Sequence, residues 1–119
     1  MITKESAQVF AHHWIESWNA HDLEQIMNHY SDDFEMSSPH IISIMNEPSG
    51  TLRGKDNIAN YWSIALEKFL DLKFELIAIF HSINLIIIYY HSAHRGTNAT
   101  EYFLFNDLGK VIISAGHYN

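Results

Sequence analysis

The spacing of hydrophobic residues in the first part of the chain predicts three helices. Residues 7–18 repeat apolar side chains every three or four positions, which is the period of one buried helical face. Asp22 followed by Gln25 is typical of a capping box and predicts that a second, short helix begins there. The same spacing over 58–69 predicts a third helix, which begins after Gly54.

Between the second and third helices, the helical period is lost. Polar and apolar residues alternate over 34–38, which predicts a short first strand that ends before Pro39. Residues 39–54 hold both prolines and two of the five glycines, so we expect a long connection there. Connections of this kind often form the rim of a binding site.

Beyond the third helix the hydrophobic period changes to two, which predicts strands. Turn sequences divide this part of the chain into runs at 72–81, 85–93, 99–105 and 110–118. In the first run, the residues predicted to share one face are Leu72, Phe74, Leu76, Ala78 and Phe80. Helices followed by four meandering strands are typical of an α+β layer architecture. We expect a single domain over 1–119, a cone of three N-terminal helices packed on a strongly curved, mainly antiparallel sheet that encloses a pocket.

The run at 85–90 is apolar on both faces of its predicted strand. Helices can cover only one face, so the other face needs a second cover. We expect a homodimer that packs sheet against sheet through the outer face, with a flanking loop as the alternative cover. The residues that would extend this outer patch are Tyr102, Leu104, Ile113 and Ala115.

The composition excludes several classes of protein. Fourteen acidic residues against seven basic ones give a formal charge of −7. Because no cluster of Lys and Arg is present, we expect neither nucleic-acid binding nor docking on anionic membranes. The absence of cysteine excludes disulfides, thiolate catalysis and cysteine-based zinc sites. The N-terminal residues lack the apolar core of a signal peptide, so a cytoplasmic location is expected.

Several short strings, in a fixed order along nearly the whole chain, carry a resemblance to a known family. They are Trp18-Asn19-Ala20-His21-Asp22-Leu23, Tyr30-Ser31-Asp32-Asp33-Phe34, Gly54-Lys55-Asp56-Asn57-Ile58, Glu101-Tyr102-Phe103-Leu104-Phe105 and Gly109-Lys110-Val111. The chain resembles the nuclear transport factor 2-like superfamily and, within it, the SnoaL-like and ketosteroid isomerase-like branch. The resemblance implies the cone fold but no single activity, because that fold hosts isomerases, dehydratases, cyclases, epoxide hydrolases and binding modules.

The resemblance also indicates which catalytic groups of the steroid isomerases are replaced here. Those enzymes use a carboxylate base, a tyrosine and a protonated aspartate. By position in the motifs, the base falls on Ser38, the tyrosine on Trp14 and the protonated acid on Glu101. A serine without a neighbouring general base does not abstract a carbon-bound proton, and indole donates a hydrogen bond without acting as an acid. Steroid isomerase activity with the usual catalytic set is therefore not expected.

Glu101 is the strongest candidate for a catalytic residue. It alternates with Phe103 and Phe105 along its predicted strand, so it shares their apolar face. A carboxyl group on an apolar face has a raised pKa and can serve as an acid or a hydrogen-bond donor. The alternative is a solvated Glu101, or one that is paired with Arg95 or Lys110.

Histidines are the candidates for the partner base, since nine are present and imidazole suits proton transfer at neutral pH. Dehydratases of this fold pair histidine with a carboxylate, so the resemblance implies a couple of Glu101 with His91 or His117. Ser38 and Tyr30 would orient the ligand as polar groups. A shift of one residue in strand register would turn either histidine to the outer face, and a surface or satisfied core position is the alternative for each.

Aromatic and polar side chains on several elements are expected to line the pocket. They are Trp14, Trp18, Tyr30, His40, Trp62, Tyr90, Phe103 and Tyr118. Such a lining suits a small apolar or cyclic ligand. No cofactor is expected. No metal is expected either, because His91 and His94, three apart on a strand, point to opposite faces and no three possible ligands share a face.

Two functions follow from these observations. The first is a small-molecule pocket protein that performs cofactor-free acid–base chemistry, of the isomerase, dehydratase or cyclase type, on a carbonyl compound. The second is a non-catalytic ligand-binding or dimerisation module of the same fold, favoured by the replacement of two of the three isomerase groups. The two differ in whether Glu101 and a histidine face one enclosed cavity.

Overall fold

A computed structural model describes all 119 residues and contains four helices and six strands. The helices are α1 (Lys4–Asn19), α2 (Leu23–Met27), α3 (Pro39–Met45) and α4 (Lys55–Lys68). The strands are β1 (Tyr30–Ser37), β2 (Thr51–Arg53), β3 (Phe74–His81), β4 (Leu85–Ser92), β5 (Thr97–Phe105) and β6 (Val111–Tyr118). They form one open, curved sheet in the order β2-β1-β6-β5-β4-β3, in which only the β1–β6 pair is parallel. The predicted α+β architecture with a mainly antiparallel, curved sheet is confirmed.

Local signals determine where the helices begin. Thr3 and Ser6 form a capping box before α1, in which each side chain accepts a hydrogen bond from the backbone N–H of the other residue. Asp22 accepts a hydrogen bond from the backbone N–H of Gln25 at 3.2 Å, so α2 begins where the sequence predicts. Gly54 precedes α4 with a φ of 88°, a conformation that favours glycine. None of the four helices has the length and apolar character needed to span a membrane.

Residues 39–54 are not the irregular connection that the sequence suggests. The Ser38 side chain accepts a hydrogen bond from the backbone N–H of His40 at 3.1 Å and Pro39 occupies the first turn, so α3 begins directly after β1. β2 then pairs with β1 at the edge of the sheet. The sequence therefore predicts one helix too few. β1 begins at Tyr30, before its predicted start at residue 34.

A β-bulge reverses the faces of β3 half-way along the strand. Leu76 pairs with Tyr90 and Ala78 pairs with Tyr89, so Ile77 is an additional residue on the β3 side. After the bulge Ile79 packs against the core, whereas the Phe80 side chain is 58% exposed. The prediction that Ala78 and Phe80 share the face of Leu76 is wrong, because a single inserted residue exchanges the two faces.

The inner face of the sheet packs on α1 and α4 to form an aromatic core. Trp14 lies within it: its ring stacks on Phe74 with the centroids 5.6 Å apart, and contacts Phe103 edge-on at 5.4 Å. The Trp14 indole N–H donates a hydrogen bond to the Tyr30 hydroxyl at 3.1 Å, which satisfies both buried polar groups. This network holds α1 against the middle of the sheet, and the remaining space lies between the sheet and α4.

The outer face of the sheet carries two apolar rows that cross β4, β5 and β6. The rows are Leu85–Leu104–Ile113 and Ile87–Tyr102–Ala115. All six side chains are partly exposed in the single chain, whereas Ile86 and Ile88, which alternate with them along β4, are fully buried on the inner face. β4 is therefore apolar on both faces, and the outer patch has the residues that the sequence predicts.

Candidate active site

A cavity of about 60 Å³ lies between α1, α3, α4 and the inner face of the sheet. The seventeen residues that line it are Trp14, Trp18, Met36, His40, Ile44, Tyr61, Trp62, Ala65, Phe69, Leu72, Phe74, Tyr90, Ser92, His94, Arg95, Glu101 and Tyr118. Twelve of them are hydrophobic, so the space suits the apolar part of a ligand. A volume of this size holds a few water molecules or a small organic group.

Glu101 is the buried carboxyl group of this cavity. It lies on β5 with its side chain on the inner face, and it is 4% exposed. Ser114 Oγ donates a hydrogen bond to Oε2 at 3.4 Å, and no cation pairs with the group, since Lys110 Nζ donates instead to the Asn28 carbonyl. Burial raises the pKa of Glu101 to about 8. At neutral pH the group is mainly protonated and can donate a hydrogen bond or a proton.

Tyrosine hydroxyls share the cavity with Glu101. Gly116 on β6 pairs with Glu101 on β5. The side chain of Tyr118, two residues further along β6, folds back over Gly116. Its hydroxyl shares a hydrogen bond with Ser38 Oγ at 3.3 Å. Burial, followed by the charge of Glu101, raises the pKa of Tyr118 well above its ordinary range. Burial likewise raises the pKa of Tyr61 to about 12, so both hydroxyls stay protonated and serve as polar contacts.

His40 provides an imidazole nitrogen with no hydrogen-bond partner at the edge of the cavity. Its ring lies on the Tyr118 ring with the centroids 4.2 Å apart, and its Nε2 atom is buried without a partner. Burial, and then the charges of Arg95 and His94, lower the pKa of His40 to about 4. The side chain is therefore neutral at pH 7. Trp18 Nε1 is a second buried nitrogen with no hydrogen-bond partner, and the Trp18 side chain lines the same cavity.

His94 and Arg95 lie in the turn between β4 and β5, at the mouth of the cavity. His94 Nδ1 is 3.3 Å from Ser92 Oγ, and burial, followed by Arg95, lowers the pKa of His94. The Arg95 guanidinium lies 4.7 Å from the centroid of the Phe69 ring, a cation–π contact that holds it beside the opening. The site thus combines a protonated carboxyl group inside with neutral imidazoles and one guanidinium at its mouth.

The family model of the SnoaL-like domain matches residues 11–108. The chain belongs to the SnoaL-like family. A SnoaL-like protein of unknown function from Burkholderia thailandensis is 46% identical to it, over 99% of this chain and 98% of that one, with a TM-score of 0.94. The family that the sequence motifs suggest is therefore confirmed.

Two more distant solved structures share the fold of this SnoaL-like domain. A candidate isomerase of the SnoaL-like family from Agrobacterium tumefaciens is 17% identical, over 95% of this chain and 97% of that one, with a TM-score of 0.74. AclR, a candidate hydroxylase from Streptomyces galilaeus, is 18% identical, over 98% of this chain and 77% of that one, with a TM-score of 0.73. At this level of identity the likeness concerns the fold alone. No curated protein matches the chain.

The two histidines predicted to pair with Glu101 lie on the opposite face of the sheet in this SnoaL-like domain. His91 Nδ1 is 2.7 Å from Asn98 Oδ1, and His117 Nδ1 is 3.1 Å from Thr100 Oγ1. Successive residues of a strand point to opposite faces, so the inward neighbours of these histidines, Tyr90 and Tyr118, line the cavity instead. The predicted couple of Glu101 with either histidine is therefore not formed.

The remaining predicted site residues divide between cavity and core. Those that line the cavity are Trp14, Trp18, His40, Trp62, Tyr90 and Tyr118. Tyr30 and Phe103 are buried in the aromatic core, and Ser38 reaches the cavity through its hydrogen bond to Tyr118. Tyr61, His94 and Arg95 belong to the site and are absent from the predicted set. A polar tip on the buried stripe of α4 is the one sequence signal that marks Tyr61.

Proposed function

We propose that this domain binds a small hydrophobic carbonyl compound in the cavity and catalyses proton transfer on it without a cofactor. Glu101 would be the acid and His40 the base, in place of the outward-facing histidines. The observation that carries this proposal is the buried Glu101 carboxyl group, which has no cationic partner and opens on an apolar cavity. A buried titratable group with a shifted pKa in a cavity is typical of a catalytic acid.

The chemistry begins with enolisation. Glu101 donates its proton toward the carbonyl oxygen, while neutral His40 Nε2 accepts a proton from the adjacent carbon, which gives the enol, an imidazolium and a carboxylate. For a β,γ-unsaturated carbonyl compound the enol is a dienol, so return of the enol proton to Glu101 and delivery of the imidazolium proton to the γ-carbon give the conjugated isomer and restore both residues. Enolisation is also a first step for dehydration or aldol-type cyclisation, so the same pair of residues supports each of those reactions.

The surrounding groups support these roles. A pKa of about 8 leaves Glu101 protonated at neutral pH and still able to give up its proton, which is the range in which general acids are effective. Unpartnered Trp18 Nε1 and the Tyr118 hydroxyl provide further donors for a carbonyl or hydroxyl group of the ligand. The aromatic walls would exclude water from the enol.

Hydrogen exchange in D₂O tests this proposal without knowledge of the natural substrate. Small aryl and cyclic ketones are incubated with the protein, and the loss of their α-proton signals is followed by ¹H NMR. Exchange above the buffer rate by the wild type, and its loss in Glu101→Gln and His40→Gln, is the expected result. Matched controls are Glu75→Gln and His12→Gln, because both of these side chains are exposed.

The second candidate function is a non-catalytic ligand-binding module. The observation that favours it is the pKa of His40, about 4, because so weak a base accepts a carbon-bound proton poorly. Saturable binding of the ketones with no exchange above the buffer rate would support this module and overturn the enzyme. Exchange that persists in both site variants would remove Glu101 and His40 from the chemistry.

We also propose that the domain is a homodimer through the outer face of the sheet. The two apolar rows defined above present aligned, partly exposed side chains on three neighbouring strands. Two copies of such a face can pack together about a two-fold axis, since each copy offers the same patch. Light scattering coupled to size exclusion measures the mass directly, and a monomer at micromolar concentration would overturn this arrangement.

A further inference from the structure

The two arginines of the chain have different partners. Arg53 forms the one salt bridge of the structure, with Glu35 on the outer face, at 2.6 Å. Arg95 has no carboxylate partner and is held instead over the Phe69 ring at the mouth of the cavity. In a chain with twice as many acidic as basic residues, an arginine that is anchored at a cavity and left without an anion is an available binding group.

One further cation and two neutral imidazoles lie near the guanidinium. Lys68 Nζ lies 5.8 Å from the centroid of the same Phe69 ring, and His40 and His94 line the cavity together with Arg95. His40, Arg95 and Tyr118 also line a shallow groove of about 420 Å³, so the cavity and the groove meet at these three residues. A ligand that fills the cavity would emerge beside the guanidinium.

Acidic groups do not neutralise this opening. Glu101 is the one acidic residue of the cavity lining, and it is buried and mainly protonated. Asp71, which is exposed, raises the pKa of His94 and His21 lowers it, and Asp71 makes no salt bridge with Arg95. A neutral ligand would leave the guanidinium without a partner, and a cationic ligand would be repelled by it.

We propose that the natural ligand is an anion: a small ring compound with a carboxylate that binds Arg95 at the mouth and a carbonyl group that reaches Glu101. This deepens the proposed function, because it names the substrate class of the same cavity. The planar guanidinium can bind a carboxylate through two parallel hydrogen bonds, and the adjacent imidazoles can add a third. The ring would lie between these two ends, partly in the aromatic cavity and partly in the larger groove that meets it.

Pairs of probes that differ only in charge test this proposal. Benzoate, phenylacetate and 3-phenylpropionate are titrated into the protein by isothermal calorimetry, each beside its neutral amide, so that the series also varies the distance from ring to carboxylate. The expected result is that at least one carboxylate binds about tenfold or more tightly than its amide. Because the guanidinium is exposed, the preference should weaken as the salt concentration rises.

Arginine variants assign the preference to the mouth. In Arg95→Gln the preference for the carboxylate over its amide should disappear, whereas Arg53→Gln should keep the wild-type preference. Equal binding of acid and amide, a preference that survives in Arg95→Gln, or no binding of any probe at millimolar concentration would overturn the anion site. The ketone exchange assay with Glu101→Gln is independent of these titrations. The anion site can therefore fail while the acid–base function holds, and the acid–base function can fail while the anion site holds.

Discussion

Gly116 lies directly beneath the phenol of Tyr118, so that a Cβ atom at position 116 would overlap the Tyr118 hydroxyl and the ring carbon that carries it. Gly116 is opposite Glu101 in the β5–β6 pairing, so this overlap lies beside the carboxyl group. The absence of a side chain at position 116 is therefore what lets the phenol enter the cavity and reach Ser38.

Gly116→Ala should displace Tyr118 and destabilise the domain by about 1–3 kcal/mol, the usual cost of overpacking. The cost is steric, because the backbone at Gly116 is not in the left-handed region. Urea unfolding measures the loss of stability. The control is Gly116→Ala made in the Tyr118→Ala variant, where no phenol is present and the added methyl group should cost little. Equal costs in the two backgrounds would contradict a clash with the phenol.

Glu101 should make the stability of the domain fall as the pH rises. Its pKa is raised from 4.5 to about 8 in the folded state, so the folded protein retains a proton that the unfolded chain releases. Its contribution is complete below pH 4.5 and is lost as the pH rises to 8, with a change of at most about 5 kcal/mol in the free energy of unfolding.

Glu101→Gln removes the titrating group and keeps the shape of the side chain. Between pH 5 and 8 the variant should lose less stability than the wild type, as measured by urea unfolding at each pH. Glu75→Gln, on the exposed face of β3, is the control and should follow the wild-type curve. Parallel curves for wild type and Glu101→Gln would mean that the carboxyl group is ionised in the folded protein.

His40 should titrate near pH 4 in the folded protein, because burial and then Arg95 lower its pKa. The folded state binds fewer protons than the unfolded chain, so the contribution of His40 to stability is present above pH 6.5 and is lost as the pH falls to 4. Histidine C–H signals followed by NMR measure the midpoint. Arg95→Gln should raise it only in part, since burial is the larger cause, and Arg53→Gln should leave it unchanged. A wild-type midpoint near 6.5 would contradict the buried position.

Leu104→Glu should convert the proposed homodimer into a monomer. A carboxylate in the middle of the outer apolar rows would have to be buried without a partner, which costs more than the contact contributes. Mass by light scattering is the measurement. Leu108→Glu is the matched control, because Leu108 lies in the turn before β6 and is 86% exposed. A dimer that persists in Leu104→Glu would place the interface elsewhere.

The sequence correctly predicts the elements in which the hydrophobic period of a helix or a strand is repeated several times. α1 and α4 have clean helical stripes, and β4 to β6 lie within two residues of their predicted bounds. The bulge at Ile77 is not visible in the sequence, because residues 76–80 are apolar on both faces and either register would bury hydrophobic side chains. α3 could have been predicted: Ser38 followed by Pro39 is a common start of a helix.

The site could be predicted only in part. Glu101 follows from alternation with Phe103 along a single strand, a local pattern that needs no knowledge of strand pairing. Whether a histidine on a strand reaches the cavity depends on which face of that strand is turned inward. His91 is next to Tyr90, and His117 is next to Tyr118, so neither histidine can share the cavity with its neighbour. Arg95 and His94 lie in a turn, where no period applies.

The division of the site between turn and sheet has a consequence for how such a domain can diversify. His94 and Arg95 belong to the four-residue turn at 93–96, whereas Glu101 is held within the ladder between β4 and β6. Substitutions in the turn can therefore change the proposed ligand preference without moving the buried Glu101 carboxyl group. A library restricted to Ala93, His94 and Arg95 would vary the proposed ligand preference, while Gly96, whose φ of 70° favours glycine, keeps the shape of the turn.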